Sequence, residues 1–258
     1  MKILAIIGSK RKRNTVNSVR LLENSLLSHT DCSVEYLFLK DYDLPFCSGC
    51  HQCLRKSEEK CQAYEVVNSL RMRMDTADGL IFATPVYLQH ISAMMKNFFD
   101  HFAYLEHRPR YFDKPAIIVA TSAGSGLKQT TSYLKKFTRA WGFHVIGEIK
   151  VKMIAYESSK YQKKVAKQVS ILSRKMTDEI TRKGLRSPDN SEIVDFRVRR
   201  LITLATRDSF PRDYEYWENR NWFNKSYYTN ARLGIFGSLM GYFSEIIAKI
   251  IMKVVYKI

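Results

Sequence analysis

Short unbroken apolar runs alternate, over the first 150 residues, with longer stretches whose apolar positions recur every three or four residues. Lys2 to Ile7, Gly79 to Ala83 and Pro115 to Ala120 are of the first kind, which suits strands covered on both faces. Ser33 to Leu39 and Phe143 to Lys150 complete five predicted strands. The helical period runs through Val16 to Leu27, Ala63 to Thr76 and Leu127 to Trp141, and from Ile91 through Met94, Met95, Phe98, Phe99 and Phe102. Such alternation argues an α/β fold, a doubly wound five-stranded parallel sheet with helices on both faces. Tyr156 to Lys183 and Ser191 to Arg207 predict helices separated by a loop at Gly184 to Asn190. The expected division is an α/β domain over 1–150 and a helical C-terminal extension over 151–258.

Ligands of open α/β sheets bind beyond the carboxyl ends of the strands. Three loops are expected there: Gly8 to Thr15, Thr84 to Tyr87 and Thr121 to Gly126. With strand order 2-1-3-4-5 they meet at one crevice. In the first, backbone amides and the positive end of the next helix combine with Ser9, Arg11, Asn14 and Thr15 into an anion cradle suited to phosphate. It is neither a Walker A loop nor a GxGxxG fingerprint, and Asn14 or Thr15 can equally be an N-cap, with Lys10 to Arg13 a solvated turn. In the second loop Pro85 is stiff, and the amides of Val86 and Tyr87 can donate to a planar group. A Pro-Val-Tyr turn can also simply close a strand. Together the loops would hold a phosphate at one end and flank a ring at the other.

Cys47-x2-Cys50-x2-Cys53-x7-Cys61 places four thiols in a polar segment where Pro45 and Gly49 suit tight turns. Four thiolates are what a [4Fe–4S] cluster requires, and Cys-x2-Cys pairs also serve zinc. Unligated thiols in a reducing cell are the third reading. Cys32 reads as an ordinary thiol, His51 as a loop side chain and His90 as a helix-start residue.

Several of these pieces together resemble the flavodoxin-like NAD(P)H-dependent FMN reductase and iron–sulfur flavoprotein family. They are Gly8-Ser9-x-Arg11 with Asn14-Thr15, the Cys47 to Cys61 motif, Ala83-Thr84-Pro85-Val86-Tyr87, and Ser92 with Met95-Lys96-Asn97-Phe98-Phe99-Asp100. Thr121-Ser122-Ala123-Gly124 matches the third flavin loop. The resemblance implies a flavodoxin-like fold in which Ser9, Arg11, Asn14 and Thr15, with Asn17, hold the FMN phosphate. Thr84, Pro85, Val86 and Tyr87 would line the ring, with Thr121, Ser122, Ala123 and Gly124 on its other edge. It also implies a hydride taken from NADH or NADPH and electrons passed to a quinone, flavin or protein acceptor, with a [4Fe–4S] cluster on Cys47, Cys50, Cys53 and Cys61 as a candidate relay. Such chemistry belongs to the cofactor, so no side chain is assigned a catalytic role. The chain departs from the family pattern in a phosphate loop about a residue shorter and in His101, where an Arg often follows Asp100.

Composition adds one further element. The net charge is +17, and residues 150–258 carry +11 of it. The start MKILAIIGS is too short for a signal peptide and reads as a first strand, so a cytoplasmic, reducing setting is expected. Aromatics crowd Phe210 to Tyr228, where base stacking is conceivable and packing within an extension or a dimer is simpler. In the last predicted helix Phe236, Met240, Phe243, Ile247, Ile250 and Val254 form one face, widened by Leu239, Ile246, Ile251, Val255 and Ile258. Glu245, Lys249, Lys253 and Lys257 form a charged stripe. Charges recur too often for a membrane span. Packing on another helix or a second subunit is expected, giving a homodimer or larger, with peripheral contact to an anionic membrane as the alternative. Two rivals to a reductase remain at this level. One is a non-catalytic electron-transfer protein, and the other a basic membrane- or nucleic-acid-binding module.

Overall fold

The computed structural model describes residues 1–182 and 185–256, with side chains described up to 247 and at Ile250. Six strands occur, β1 (Lys2–Ile7), β2 (Ser33–Phe38), β3 (Gly79–Tyr87), β4 (His90–Ile91), β5 (Pro115–Ser122) and β6 (His144–Lys152). Among the described residues ten α-helices accompany them. They are α1 (Asn14–Leu27), α2 (Gln52–Arg55), α3 (Tyr64–Thr76), α4 (Ala93–His101), α5 (Tyr104–His107), α6 (Leu127–Ala140), α7 (Ser159–Thr181), α8 (Asn190–Ala205), α9 (Pro211–Asn219) and α10 (Ile235–Tyr256). These elements fall into two compact units, one of Met1–Gly49 with Ala63–Arg182, the other of Cys50–Gln62 with the described part of Lys183–Ile258.

In the first unit the parallel sheet runs β2-β1-β3-β5-β6. Its five long strands keep the expected order, and β4 is an addition paired antiparallel to the end of β3. Because successive side chains alternate faces, each of the central strands β1, β3 and β5 feeds two cores. Ile3, Ala5, Ile7, Ile81, Ala83, Ile117 and Val119 meet Val19, Leu22 and Leu26 of α1 and Val169, Leu172 and Met176 of α7. On the other face Phe82 meets Phe99, Trp141 and Phe143, with ring centroids 5.6, 6.2 and 5.8 Å away. Phe99 stacks on Trp141 at 4.5 Å, so α4 and the end of α6 are joined through aromatic contact beneath the sheet.

Three local expectations change. The Thr84 to Tyr87 stretch is not a loop but the end of β3: Thr84 and Pro85 stay in register with Ala120 and Thr121, and Val86 and Tyr87 pair with Ile91 and His90. The next helix starts at Ala93, because the Ser92 side chain accepts from the Met95 amide as N-cap and leaves Ile91 and His90 in β4. His90 is therefore a strand residue. The helix expected over Tyr156 to Lys183 is α7, bounded by Ser159 and Thr181.

In the second unit α8 opens with a capping box between Asp189 and Glu192. The aromatic-rich stretch packs upon itself: Phe196 stacks on Trp217 at 5.5 Å, and the Trp222 indole donates to the Tyr228 carbonyl at 2.9 Å. Trp217 and Trp222 are buried, so these rings form a core rather than an outward stacking surface. Lys249, Lys253, Lys257, Ile251, Val254, Val255 and Ile258 of the expected amphipathic pattern, and Gly184 of the expected loop, lie outside the described residues and side chains.

Candidate functional site: a cradle at the carboxyl ends of the strands

Beyond the carboxyl ends of β1, β3 and β5 the first unit forms an open cavity of ≈ 430 Å³. It is lined by Ser9, Arg11, Arg13, Asn14 and Thr15 from the first loop, Pro85, Val86 and Tyr87 from β3, and Thr121, Ser122 and Ala123 after β5. Met153, in the 3₁₀ turn that follows β6, closes another side.

Hydrogen bonds fix these segments to one another. The Gly8 amide donates to Ala83 at 2.8 Å, extending the β1–β3 pairing. The Ser92 hydroxyl, fully buried, donates to the Gly8 carbonyl at 2.6 Å, while its amide donates to the Thr84 hydroxyl at 3.2 Å. Ser9 donates to the Arg11 carbonyl at 2.8 Å and curls the loop. The hydroxyls of Thr15 and Thr121 lie 2.7 Å apart and tie the first loop to the third.

The start of α1 is electrostatically open. Its N-cap is Arg13, without a side-chain cap, and no acidic residue occupies the first turn. Neither Asn14 nor Thr15 is the cap, so the first amides of a 14-residue helix keep their donors beside two guanidinium groups. Lys12 instead lies over the Phe38 ring at 4.8 Å.

The opposite wall is a tight hairpin. Leu88 and Gln89 have φ of 44° and 70°, as a two-residue turn between paired strands requires, and Leu88 is 99% exposed. Gln89 donates to the Ser125 hydroxyl at 2.8 Å, bracing the turn on the third loop. Pairing with β4 on one edge and with Thr121 of β5 on the other takes up this strand end, so the Val86 and Tyr87 amides belong to the sheet. His90 does not line the cavity; its ring packs edge-on against Tyr133 at 4.8 Å. Burial, then Asp100 and Glu106, push the Tyr133 hydroxyl up to about 12.

Of the expected flavin residues, Thr84, Asn17 and Gly124 are outside the lining. Thr84 is buried and bonded to Ser92, Asn17 is exposed and faces Arg20, and the Gly124 amide donates to Ser122. Arg13 and Met153 line the cavity from outside the expected set: Arg13 belongs to the basic run that reads as a solvated turn, and Met153 follows from the carboxyl-end rule applied to the last strand.

The cysteine motif is divided. Cys47 belongs to the first unit, and Cys50, Cys53 and Cys61 to the second. Asn97 on α4 clasps the approach to Cys47: it accepts from the Cys47 amide at 2.9 Å and donates to the Pro45 and Leu44 carbonyls at 2.9 and 3.2 Å. His101, one turn on, meets the Pro45 carbonyl at 2.8 Å. Cys47 and Cys50 are exposed and Cys53 and Cys61 half-buried. Among the described residues no group of three or more Cys, His, Asp or Glu side chains is placed to hold a metal ion. Burial pushes the Cys32 thiol up, as for an ordinary packed cysteine.

A parallel sheet of this order, with helices on both faces, defines a flavodoxin-like architecture. Residues 1–156 match the family model of NADPH-dependent FMN reductases, and the chain belongs to that family. An iron–sulfur flavoprotein of Archaeoglobus fulgidus is 27% identical over 226 residues, covering 85% of this chain and 99% of the relative. One of Methanocaldococcus jannaschii is 30% identical over 151 residues, covering 57% and 77%. Among solved structures, azoreductase AzrA superposes with a TM-score of 0.54 at 12% identity, covering 68% of this chain and 100% of that one. The FMN-bound NADH-azoreductase of Bacillus anthracis gives 0.53 at 12%, covering 68% and 98%. The protein is a flavoprotein oxidoreductase with FMN as its cofactor.

Proposed function

We propose that the cradle holds FMN with its phosphate at the start of α1 and its ring along the end of β3, and that NADH or NADPH is the reductant. The observation that carries this reading is the uncapped α1 terminus flanked by Arg11 and Arg13 in one cavity with Pro85, Val86 and Tyr87. The donor set fits a phosphorylated flavin: amides and guanidinium groups suit a dianion, and ≈ 430 Å³ lies within the range of small-molecule sites. When bound, FMN supplies hydride acceptance and electron release.

The chain's own part is positional. Arg11, Arg13 and the first amides of α1 fix the phosphate, Pro85 holds the strand end rigid against the ring, and Thr121, Ser122 and Ala123 bound its other edge. Electrons then pass to a quinone, a free flavin or a protein acceptor. The four-cysteine spacing and the names of the relatives support a [4Fe–4S] cluster in this chain as well.

Flavin titration tests the cradle. In the double variant Arg11→Ala, Arg13→Ala, FMN should bind roughly ten- to a hundredfold more weakly, while riboflavin, which lacks the phosphate, keeps its affinity. Equal loss for both flavins, or none, removes the phosphate assignment. Anaerobic mixing with NADH and NADPH tests the reductase reading: FMN-loaded protein that neither nucleotide bleaches would be an electron carrier instead. Iron and sulfide near four per chain after anaerobic purification are the outcome the cluster requires.

A further inference from the structure

The last helix uses two faces differently. One is docked on α8: a β-carbon at Gly237 would stand 2.7 Å from Asn190 and Ile193 atoms, and one at Gly241 2.8 Å from the Arg197 side chain. On the same side Glu245 takes Arg200 at 2.7 Å and Arg197 at 3.6 Å, all three largely shielded from solvent. The other face is open and apolar. Ile235, Phe236, Leu239, Phe243, Ile247 and Ile250 are exposed, Phe236 and Phe243 by 68% and 62%. With their neighbours they present on the order of 1,000 Å² of apolar surface, beyond the few hundred Å² that a solitary protein usually shows.

We propose that this face of α10 lies in the interface of an anionic lipid bilayer. Charge favours that occupant over a second copy. Glu245 is the single acidic residue of α10, and it is already paired with two arginines. The sequence continues with Lys249, Lys253 and Lys257, and residues 183–258, which belong to the same unit, carry +5. Two copies would bring like charges together, whereas anionic headgroups neutralise them. Among the described residues no helix is long and apolar enough to cross a membrane, so the helix lies along the surface. At about 1.5 Å per residue its 22 residues extend for roughly 33 Å in the plane.

The test is co-sedimentation of the FMN-loaded full chain with vesicles of phosphatidylcholine containing about one-third phosphatidylglycerol. Binding is expected at low salt, weakened about tenfold or more in pure phosphatidylcholine and by about 0.5 M salt. The double variant Phe236→Glu, Phe243→Glu, on the face turned away from α8, should lose it by a similar factor while keeping its flavin spectrum and helical circular dichroism. The single variant Phe243→Ser gives an intermediate loss if the double variant folds poorly. No binding of the unaltered chain, or equal binding by the variants, overturns the proposal. So does light scattering that shows a dimer which the double variant turns into a monomer, because a second copy would then cover the face.

Discussion

Adding one methyl group at Gly126 should weaken both the fold and the flavin site. Gly126 is the N-cap of α6 with φ of 81°, a left-handed conformation that costs a residue with a β-carbon about 1–2 kcal/mol. The new carbon would stand 2.6 Å from the Val86 side chain and 2.8 Å from the Gln89 Cα. The second neighbour is backbone in a two-residue turn, so no rotamer change relieves it, and overpacking of that kind costs about 1–3 kcal/mol. Gly126→Ala should therefore lose about 2–5 kcal/mol, lowering the melting temperature by roughly 5–20 °C in a chain of this size. Gly124→Ala in the same loop is the control: its β-carbon meets nothing within 4 Å, so a change below about 0.5 kcal/mol is expected. Since the displaced segment carries Val86, on the side of the cavity proposed for the ring, Gly126→Ala should weaken FMN and riboflavin alike, the opposite of the arginine double variant. Thermal unfolding followed by tryptophan fluorescence, with titration by both flavins, reads these quantities. A Gly126→Ala protein within about 1 kcal/mol of the unaltered chain, with both flavins bound as before, would refute the claim that the third loop braces the hairpin.

Other perturbations separate the remaining contacts. Ser92→Ala removes both the helix cap and the bond to Gly8 and should cost about 1–3 kcal/mol, with flavin released at lower temperature in a melt. Asn97→Ala should speed hydrogen exchange at the Cys47 amide about tenfold or more while amides of β1 and β3 keep their protection; unchanged exchange there would remove the clasp. Glu148 is a pH probe: burial alone would raise its carboxyl, but hydrogen bonds from Lys150 and Thr131 and the charges of Lys150 and Lys135 hold it below its ordinary value. Its contribution, below about 1 kcal/mol because the lysines are exposed, is present above the unfolded-state value and fades as pH falls through the lower folded-state value. The stability gap to Glu148→Gln should accordingly be widest near neutral pH and close in acid, as read by denaturant titrations.

The sheet was legible because each central strand is apolar on both faces, so Lys2 to Ile7 and Pro115 to Ala120 announce themselves as continuous runs. The hairpin was not, because Leu88 and Gln89 hold positive φ without the glycine or asparagine that usually marks such a turn. Pro85 added to that, since a residue without an N–H suggests the end of a strand, yet it stays in register with Thr121. The phosphate end was read from residue types alone, but those types cannot separate Arg13, which lines the cavity, from Lys12, which turns onto Phe38. The division of Cys47 from Cys50, Cys53 and Cys61 has no signature in the motif, because it is set by tertiary packing.

That division bears on how the protein can be dissected. The second unit is discontinuous in sequence: the short helix Gln52–Arg55 packs against α9, more than 150 positions later. A shortened gene ending at residue 182 would keep every strand of the sheet yet strip the excursion carrying three of the motif's four cysteines of its packing partners. Tail and excursion are thus one graft sewn through the host chain at three seams, to be transplanted together or left in place.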